Sequence, residues 1–293
     1  MSDTILIVLV STISTGLILG AIFSLVAAGV TIVYGCVWLP NASNGQFFLL
    51  AALIAWSLTS SFGWNSASAA VAVLAVGVAF SFLLEWVLIR RLYDVPNRNI
   101  AYFVVTLGLT QIMSGLFSLT YGLWSDQFTL PPLLNGITMV GGFPMTNNRI
   151  AVLLIGYALL GVLFLLLRFH KYGRALRAVF QNRESAALRG VDVRFMYKLS
   201  FALGNSIVFL GGVLFALAYS FDLTVAWTMS VTAFAIMIIG GPGSVLGALV
   251  VGLVFGFTQA IVSVFASPTA ATFSYLGVML VMLLLRPQGL FSR

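Results

Sequence analysis

Charge is what this 293-residue sequence has least of. Only 7% of its residues are Asp, Glu, Lys or Arg, whereas a typical soluble domain has about 25%. So few charged side chains cannot cover the surface of a globular protein in water. The scarcity excludes an ordinary soluble domain, and the 61% share of apolar residues is typical of a membrane protein.

Reactive side chains are equally scarce. The chain has one cysteine, Cys36, one histidine and seven acidic residues. A single cysteine excludes an internal disulfide framework and a cysteine-rich metal site. The sequence also lacks a G-x-x-x-x-G-K-[ST] phosphate loop. We therefore expect no catalytic residue, no metal, no cofactor and no enzymatic activity in this chain.

Long apolar runs fill most of the sequence. Such runs predict membrane-spanning helices, and they are continuous rather than alternating, which disfavours a β-barrel. We predict one domain over residues 1–293, an all-α polytopic membrane protein with about 8–10 transmembrane helices in a lipid bilayer. The first run, residues 5–34, is longer than one bilayer core needs, so we expect it to tilt, break or fold back. It is also far longer than a signal-peptide core, so we expect no cleavable signal peptide.

Ionisable groups are missing from the centres of the predicted spans. An ion-coupled or proton-coupled carrier usually needs an intramembrane carboxylate. Their absence argues against such a carrier. Glu85 lies in the last turns of the third span, where we expect it to snorkel toward the polar surface.

Two short segments interrupt the apolar pattern, near residues 35–46 and 240–244. Broken apolar segments in corresponding halves often mark a transporter's substrate path. An apolar run, a break and a span occur at 22–61 and again at 228–266, although in a chain with 28 glycines coincidence explains this pattern equally well. We predict that both segments line a translocation pathway and face each other, and an ordinary exposed loop is the alternative for the first. The predicted pathway residues are Asn41, Ser43, Asn44, Gln46, Gly240, Gly241 and Gly243.

Basic residues are strongly clustered. The segments 90–98 and 168–198 and the C-terminal tail hold thirteen of the fourteen Lys and Arg residues, and only Arg149 lies elsewhere. If the spans alternate, these three segments lie on one side of the membrane. The positive-inside rule places that side, including the C-terminus, in the cytoplasm. The net charge of +7 therefore does not indicate a nucleic-acid partner.

The basic segment, residues 168–198, also has the pattern of short helices. Gly173 and Gly190 bracket a helix-prone stretch, Gly190 suits a helix C-terminus, and Asn182 suits the start of a second helix. Alanines between the arginines offer small apolar positions for another protein. Anchoring to anionic lipid headgroups explains the segment equally well.

Four motifs resemble one known family. They are G-R-A-L-R-A at 173–178 with G-V at 190–191, the run 19–35, the Gly-rich stretch 233–252 and R-P-Q-G-L-F at 286–291. In this order they resemble the LivH-like permeases of branched-chain amino acid ABC importers in the bacterial inner membrane. The resemblance implies an ATP-driven, alternating-access importer with a second permease subunit, two cytoplasmic ATPase subunits and an extracytoplasmic solute-binding protein. It also implies a set of coupling residues that contact an ATPase subunit: Gly173, Arg174, Ala175, Arg177, Ala178 and Gly190.

One motif departs from the family. Members commonly have N-x-A-H-G-E after the first helix, and here residues 41–46 read N-A-S-N-G-Q. Neutral amides therefore replace a titratable pair. This leaves a permease for urea, short amides or another small polar solute as an alternative substrate class. A stand-alone channel or carrier, or a membrane scaffold or receptor, are further alternatives.

Overall fold

The computed structural model describes residues 2–39, 41–92, 95, 97–122, 126–140, 143–285 and 289–291, so Pro40, Arg286 and Arg293 lie outside the described residues. Most of the described residues are helical, as the predicted all-α class requires. A short hairpin joins strand β1 (Ile137–Val140) to strand β2 (Phe143–Thr146), with Ile137 opposite Thr146. The helices are α1 (Ser2–Val37), α2 (Asn44–Ser60), α3 (Ser66–Leu84), α4 (Arg98–Tyr121), α5 (Asn147–Phe169), α6 (Lys171–Gln181), α7 (Arg183–Leu188), α8 (Val193–Ala218), α9 (Val225–Gly240), α10 (Val245–Phe265) and α11 (Pro268–Leu285).

Within the described residues, six helices are long and apolar enough to cross a membrane, namely α1, α3 with its extension, α4, α5, α8 and α10. Two more apolar helices, α9 and the main part of α11, are shorter. Beyond Leu84, α3 continues through a π-helical turn and a 3-10 turn. Glu85 in that π-helical turn is only 2% exposed. The prediction that it snorkels to the surface is therefore wrong, because Glu85 lies on the buried side of that turn, together with Ile89.

The first apolar run forms one unbroken helix at the centre of the bundle. Of the three expected outcomes, α1 shows neither the break nor the fold back, so a tilt stays the prediction for this run. The glycines of α1 serve close packing. A Cβ on Gly16 would lie 2.7 Å from the Phe257 ring of α10. Gly29 lies against the backbone of Gly204 in α8. Because bulkier residues would hold these helices apart, the glycines let α1 contact α8 and α10 along its length.

Two halves of the chain repeat the same order of helices. In each half a long helix is followed by a break, a short helix and two more helices, as α1–α4 and as α8–α11. In the first half α3 lies along α8, with Gly77 against Phe209. In the second half α10 lies along α1, where Ser24 Oγ donates to the Leu249 carbonyl at 2.8 Å. The first break, residues 38–43, therefore corresponds to residues 219–224.

This register differs from the one predicted from sequence. The prediction matched the first break with the glycines at 240–244, but those glycines follow the short helix α9 rather than precede it. They correspond to the turn between α2 and α3. The repeat is inverted, because the end of α1 and the start of α8 lie together, with Cys36 Sγ 3.6 Å from the Met196 carbonyl oxygen.

The described parts of the three basic segments lie at one end of the bundle, here called the basic end. Phe180 of α6 lies against Gly35 at the end of α1. The tail segment 289–291 pairs with the end of α9, since Leu290 N donates to the Ile239 carbonyl at 2.8 Å. At the opposite end, Phe128 and Phe221 exchange backbone hydrogen bonds of 2.8 and 3.0 Å. Arg149 lies at that opposite end, over the Tyr219 ring.

Candidate translocation pathway and coupling segment

The polar residues of the first break are buried inside the bundle. Asn41, Ser43, Asn44 and Gln46 are each at most 4% exposed. The prediction that they face the interior is therefore confirmed, and the alternative of an exposed loop is wrong. Irregular backbone at this depth is stable only where protein or water satisfies its polar groups.

α4 supplies one wall of this polar centre. Ser43 Oγ donates to the Thr106 carbonyl at 2.7 Å, and the Thr110 hydroxyl lies 3.3 Å from Ser43 Oγ. One turn further along, Gln46 Nε2 donates to Ser114 Oγ at 3.4 Å. Sequence reasoning missed these three α4 residues, although their spacing of four marks one polar face of an apolar helix.

α9 supplies the opposite wall. Gly45 N donates to Ser230 Oγ at 2.9 Å, and that hydroxyl in turn lies 3.4 Å from the Ala42 carbonyl oxygen. Gly45 also lies directly against the backbone of Ala226, where a Cβ would overlap the carbonyl. A glycine is therefore required for the start of α2 to meet the start of α9.

The glycines at 240–243 do not lie where the sequence predicted them. A Cβ on Gly240 would meet the backbone of Gly247, and Gly289 lies against Gly241. Gly243 lies near Gly35 at the basic end. The prediction that these glycines face the polar break is wrong, because Gly240 lies at the C-terminal end of α9, whereas the break meets the N-terminal end of that helix. They instead let α9, α10 and the tail pack closely.

Several buried amide atoms in the described part of the bundle have no hydrogen-bond partner. They are Asn41 Nδ2, Asn44 Oδ1, Gln46 Oε1 and both amide atoms of Asn205 on α8. An unmade hydrogen bond at a buried polar group costs about 1–3 kcal/mol. Three of these atoms belong to residues 41–46, and such a concentration is typical of a site that meets water or a polar solute.

The basic segment folds into α6 and α7 with the predicted helix ends. Asn182 Oδ1 accepts hydrogen bonds from the backbone N–H groups of Glu184 and Ser185, at 3.0 and 2.9 Å. Gly190, with φ +82°, follows the end of α7. Both capping predictions are therefore confirmed. The first turn of α6 is also capped by a group that the sequence did not suggest, since His170 Nδ1 accepts from Tyr172 N at 3.4 Å.

Gly173 differs from its prediction, because it lies inside α6 rather than before it. It packs on the backbone of Leu166 and Leu167 at the end of α5, so a side chain there would push α6 away from α5. The segment therefore turns back onto the bundle, and glycine is required by that close approach rather than by a helix end.

The two faces of α6 differ sharply. Leu176 and Val179 are buried against the bundle, whereas Arg174 and Arg177 are exposed. Ala175 and Ala178 lie between these faces and are partly packed against the core. The surface available to a partner is thus an arginine face bordered by alanines. On the neighbouring helix α7, Leu188 is 90% exposed.

Long apolar helices around a buried, charge-free polar break form the architecture of a membrane transport protein. A family model described as the permease component of branched-chain amino acid transport systems matches residues 12–285. The chain therefore belongs to this family of transport permease components, which are not enzymes.

Curated relatives cover nearly the whole chain. The chain is 24% identical to the high-affinity branched-chain amino acid transport system permease protein LivH of Escherichia coli K12, over 95% of this chain and 94% of that protein. It is 26% identical to the corresponding BraD protein of Pseudomonas aeruginosa, with the same coverage. A probable branched-chain amino acid transport permease protein LivH of Methanocaldococcus jannaschii is 26% identical over 91% of this chain and 87% of its own length. No solved structure gave a significant match.

Proposed function

We propose that this chain is the permease subunit of an ABC importer for branched-chain or related amino acids in a bacterial inner membrane. Its partners would be a second permease subunit, two cytoplasmic ATPase subunits and an extracytoplasmic solute-binding protein. The observation that carries the proposal is the buried polar break at residues 41–46 in a chain whose family is a transport permease. Amides donate and accept hydrogen bonds without a fixed charge, which suits a conduit that must release its cargo.

The basic end faces the cytoplasm in this proposal. The positive-inside rule supports that orientation, because thirteen of fourteen basic residues belong to the three segments of this end. A reporter fused after Arg293 tests it. Alkaline phosphatase, which is active only outside the cytoplasm, is expected to be inactive there, and an active fusion would contradict the orientation.

The basic segment is proposed to dock on an ATPase subunit through Gly173, Arg174, Ala175, Arg177, Ala178 and Gly190. Contacts within the bundle support a route from this segment to the pathway. Phe180 of α6 lies 3.3 Å from the position of a Cβ on Gly35, and Gly35 is followed within a few residues by the polar break. A movement of α6 driven by ATP hydrolysis would therefore reach the end of α1 directly, and alternating access would follow.

Uptake by the reconstituted complex tests the function. Proteoliposomes that hold this chain with its partners are expected to accumulate leucine, isoleucine or valine only when ATP is supplied. The neutral amides of the break favour one second candidate, a permease for urea or short amides. ATP-driven uptake of urea or an amide, without uptake of any branched-chain amino acid, would favour that candidate.

Cysteine labelling tests whether the break is the conduit. After replacement of the native Cys36, a cysteine at Asn44 is expected to react with a small thiol reagent at a rate that changes with ATP. Gly240, Gly241 and Gly243 are not proposed to line the same passage, because they pack at the basic end. Fast, ATP-insensitive labelling of position 44 by bulky impermeant reagents would contradict the conduit.

A further inference from the structure

The N-terminal ends of α2 and α9 meet, and of the two the start of α2 is buried, whereas Thr224 and Trp227 at the start of α9 are exposed. Each follows a break in the chain, and the first turn of one packs on the first turn of the other through Gly45 and Ala226. These two residues occupy the same place in the two halves of the inverted repeat. Because a helix N-terminus carries partial positive charge, two positive helix ends lie side by side, and the one at α2 is buried.

The two breaks form the same turn. In the first, Asn41 Oδ1 accepts a hydrogen bond from Ser43 N at 3.0 Å. In the second, Asp222 Oδ1 accepts from Thr224 N at 2.9 Å. Both are Asx turns that lead directly into a helix. Asn41 and Asp222 are therefore structural equivalents, and they differ in charge.

The second break supplies its own anion. The Asp222 carboxylate lies at the positive end of α9 and also accepts from Gln127 Nε2 at 3.3 Å. A carboxylate in this place is stabilised by the helix dipole. The chain itself therefore supplies the negative charge at the positive end of α9.

The first break supplies none. The first turn of α2 contains no acidic residue, and Ser43 does not cap the helix with its side chain. Asn41 is 3% exposed, and its Nδ2 donor has no partner among the described residues. A buried positive helix end and an unpartnered donor in its leading turn are together suited to an anionic group that is not part of the chain.

We propose that the carboxylate of the transported solute binds beside Asn41 at the start of α2 and supplies there the negative charge that Asp222 supplies at the start of α9. The α2 N-terminus and Asn41 Nδ2 bind it through dipoles and hydrogen bonds rather than through a basic side chain. This proposal rests on the proposed function and narrows it, because it selects amino acids over urea and neutral amides. It makes Asn41 a specificity-determining residue.

Exchange of the amide for a carboxylate tests this assignment. Asn41→Asp keeps the acceptor of the Asx turn, as Asp222 shows, but places a fixed negative charge where the solute carboxylate binds. ATP-driven leucine uptake by the assembled complex is expected to fall about tenfold or more, since like charges repel strongly in a poorly solvated site. The matched variant Asp222→Asn makes the reverse change at the equivalent turn and is expected to keep uptake near the wild-type rate.

Wild-type uptake by the Asn41→Asp complex would overturn the carboxylate assignment and leave the proposed function intact. Absence of branched-chain amino acid uptake by the wild-type complex would instead contradict the proposed function itself. The two failures are therefore distinguishable in one assay.

Chemical modification tests the proposal even if the Asn41→Asp variant does not assemble into the complex. In a Cys36→Ala background, Asn41→Cys is treated either with hydroxyethyl methanethiosulfonate, which is neutral, or with the anionic sulfonatoethyl reagent. The sulfonate is expected to inhibit leucine uptake far more than the hydroxyethyl group, in the same folded protein. Equal inhibition by the two reagents, or no labelling in any nucleotide state, would overturn the proposal.

Discussion

The polar break between α1 and α2 and the basic segment of α6 and α7 satisfy their polar groups in opposite ways. In the break, Ser43 and Gln46 depend on partners from α4, more than sixty residues away in sequence. In the basic segment, Asn182 and His170 bond groups two or three residues away. The break is therefore held by tertiary contacts, whereas the helix ends of the basic segment are held by hydrogen bonds between residues close in sequence.

The same contrast holds for charge and exposure. The break has no ionisable side chain, and its polar residues are at most 4% exposed. The basic segment exposes its arginines to solvent. A change in the break should therefore affect folding or the pathway itself, whereas a change in the basic segment should affect coupling while the bundle stays intact.

Gly45→Val should have the largest effect. The new side chain would overlap the Ala226 backbone, which cannot move without displacing α9. We expect a loss of about 3 kcal/mol of stability, at the upper end of the usual cost of overpacking because the clash is with backbone, and a sharp fall in the amount of assembled protein. Thermal unfolding in detergent and size-exclusion chromatography measure this.

Gly161→Ala is the matched control for Gly45→Val. Gly161 lies within α5, and nothing lies within 4 Å of a Cβ at this position. The control should be neutral or slightly stabilising, by about 0.5–1 kcal/mol. A wild-type melting temperature for Gly45→Val would contradict the close contact between α2 and α9.

Ala178→Trp should have an intermediate effect, confined to transport. Ala178 lies at the border between the arginine face and the buried face of α6, so an indole would prevent close approach of a partner. We expect uptake to fall about tenfold or more, within the usual range of coupling energies, while membrane insertion stays normal. Uptake and ATP hydrolysis by proteoliposomes measure this.

Ala70→Trp is the control for Ala178→Trp. Ala70 is also partly buried against the core, but it lies in the first turns of α3, away from the basic end. It should reduce uptake much less than Ala178→Trp does. Wild-type uptake from Ala178→Trp would favour the lipid-anchoring alternative for the basic segment.

Asn182→Ala should have the smallest effect. It removes the cap of α7, and loss of an N-terminal cap costs about 1 kcal/mol. Because α7 has six residues and lies at the surface, hydrogen exchange should quicken in α7 and leave the bundle unchanged. In the control Asn65→Ala, which uncaps α3, exchange should quicken only at the start of α3. Faster exchange throughout the bundle in Asn182→Ala would show that the cap of α7 stabilises more than α7 itself.

Local sequence determined the membrane-protein class, the apolar spans and the helix ends of the basic segment. The reason is physical: long apolar runs require a bilayer, and residues such as Asn182 and Gly190 act on backbone groups within three positions. The same logic predicted that the amides at 41–46 face inward, because uncharged polar groups next to a helix break need protein or water around them.

Tertiary structure decided what those amides face. Helix packing joined the break to the polar face of α4 and to Ser230, kept α1 unbroken through close contacts at Gly16 and Gly29, and carried Gly240 to the other end of α9. It also determined that Asp222, rather than the glycine-rich stretch, is the counterpart of Asn41. A glycine, serine or threonine looks the same in the sequence whether it belongs to a turn, to a close helix contact or to a polar site. Only the identity of the neighbouring helix distinguishes these roles, and that identity depends on how the two inverted halves pack around α1 and α8.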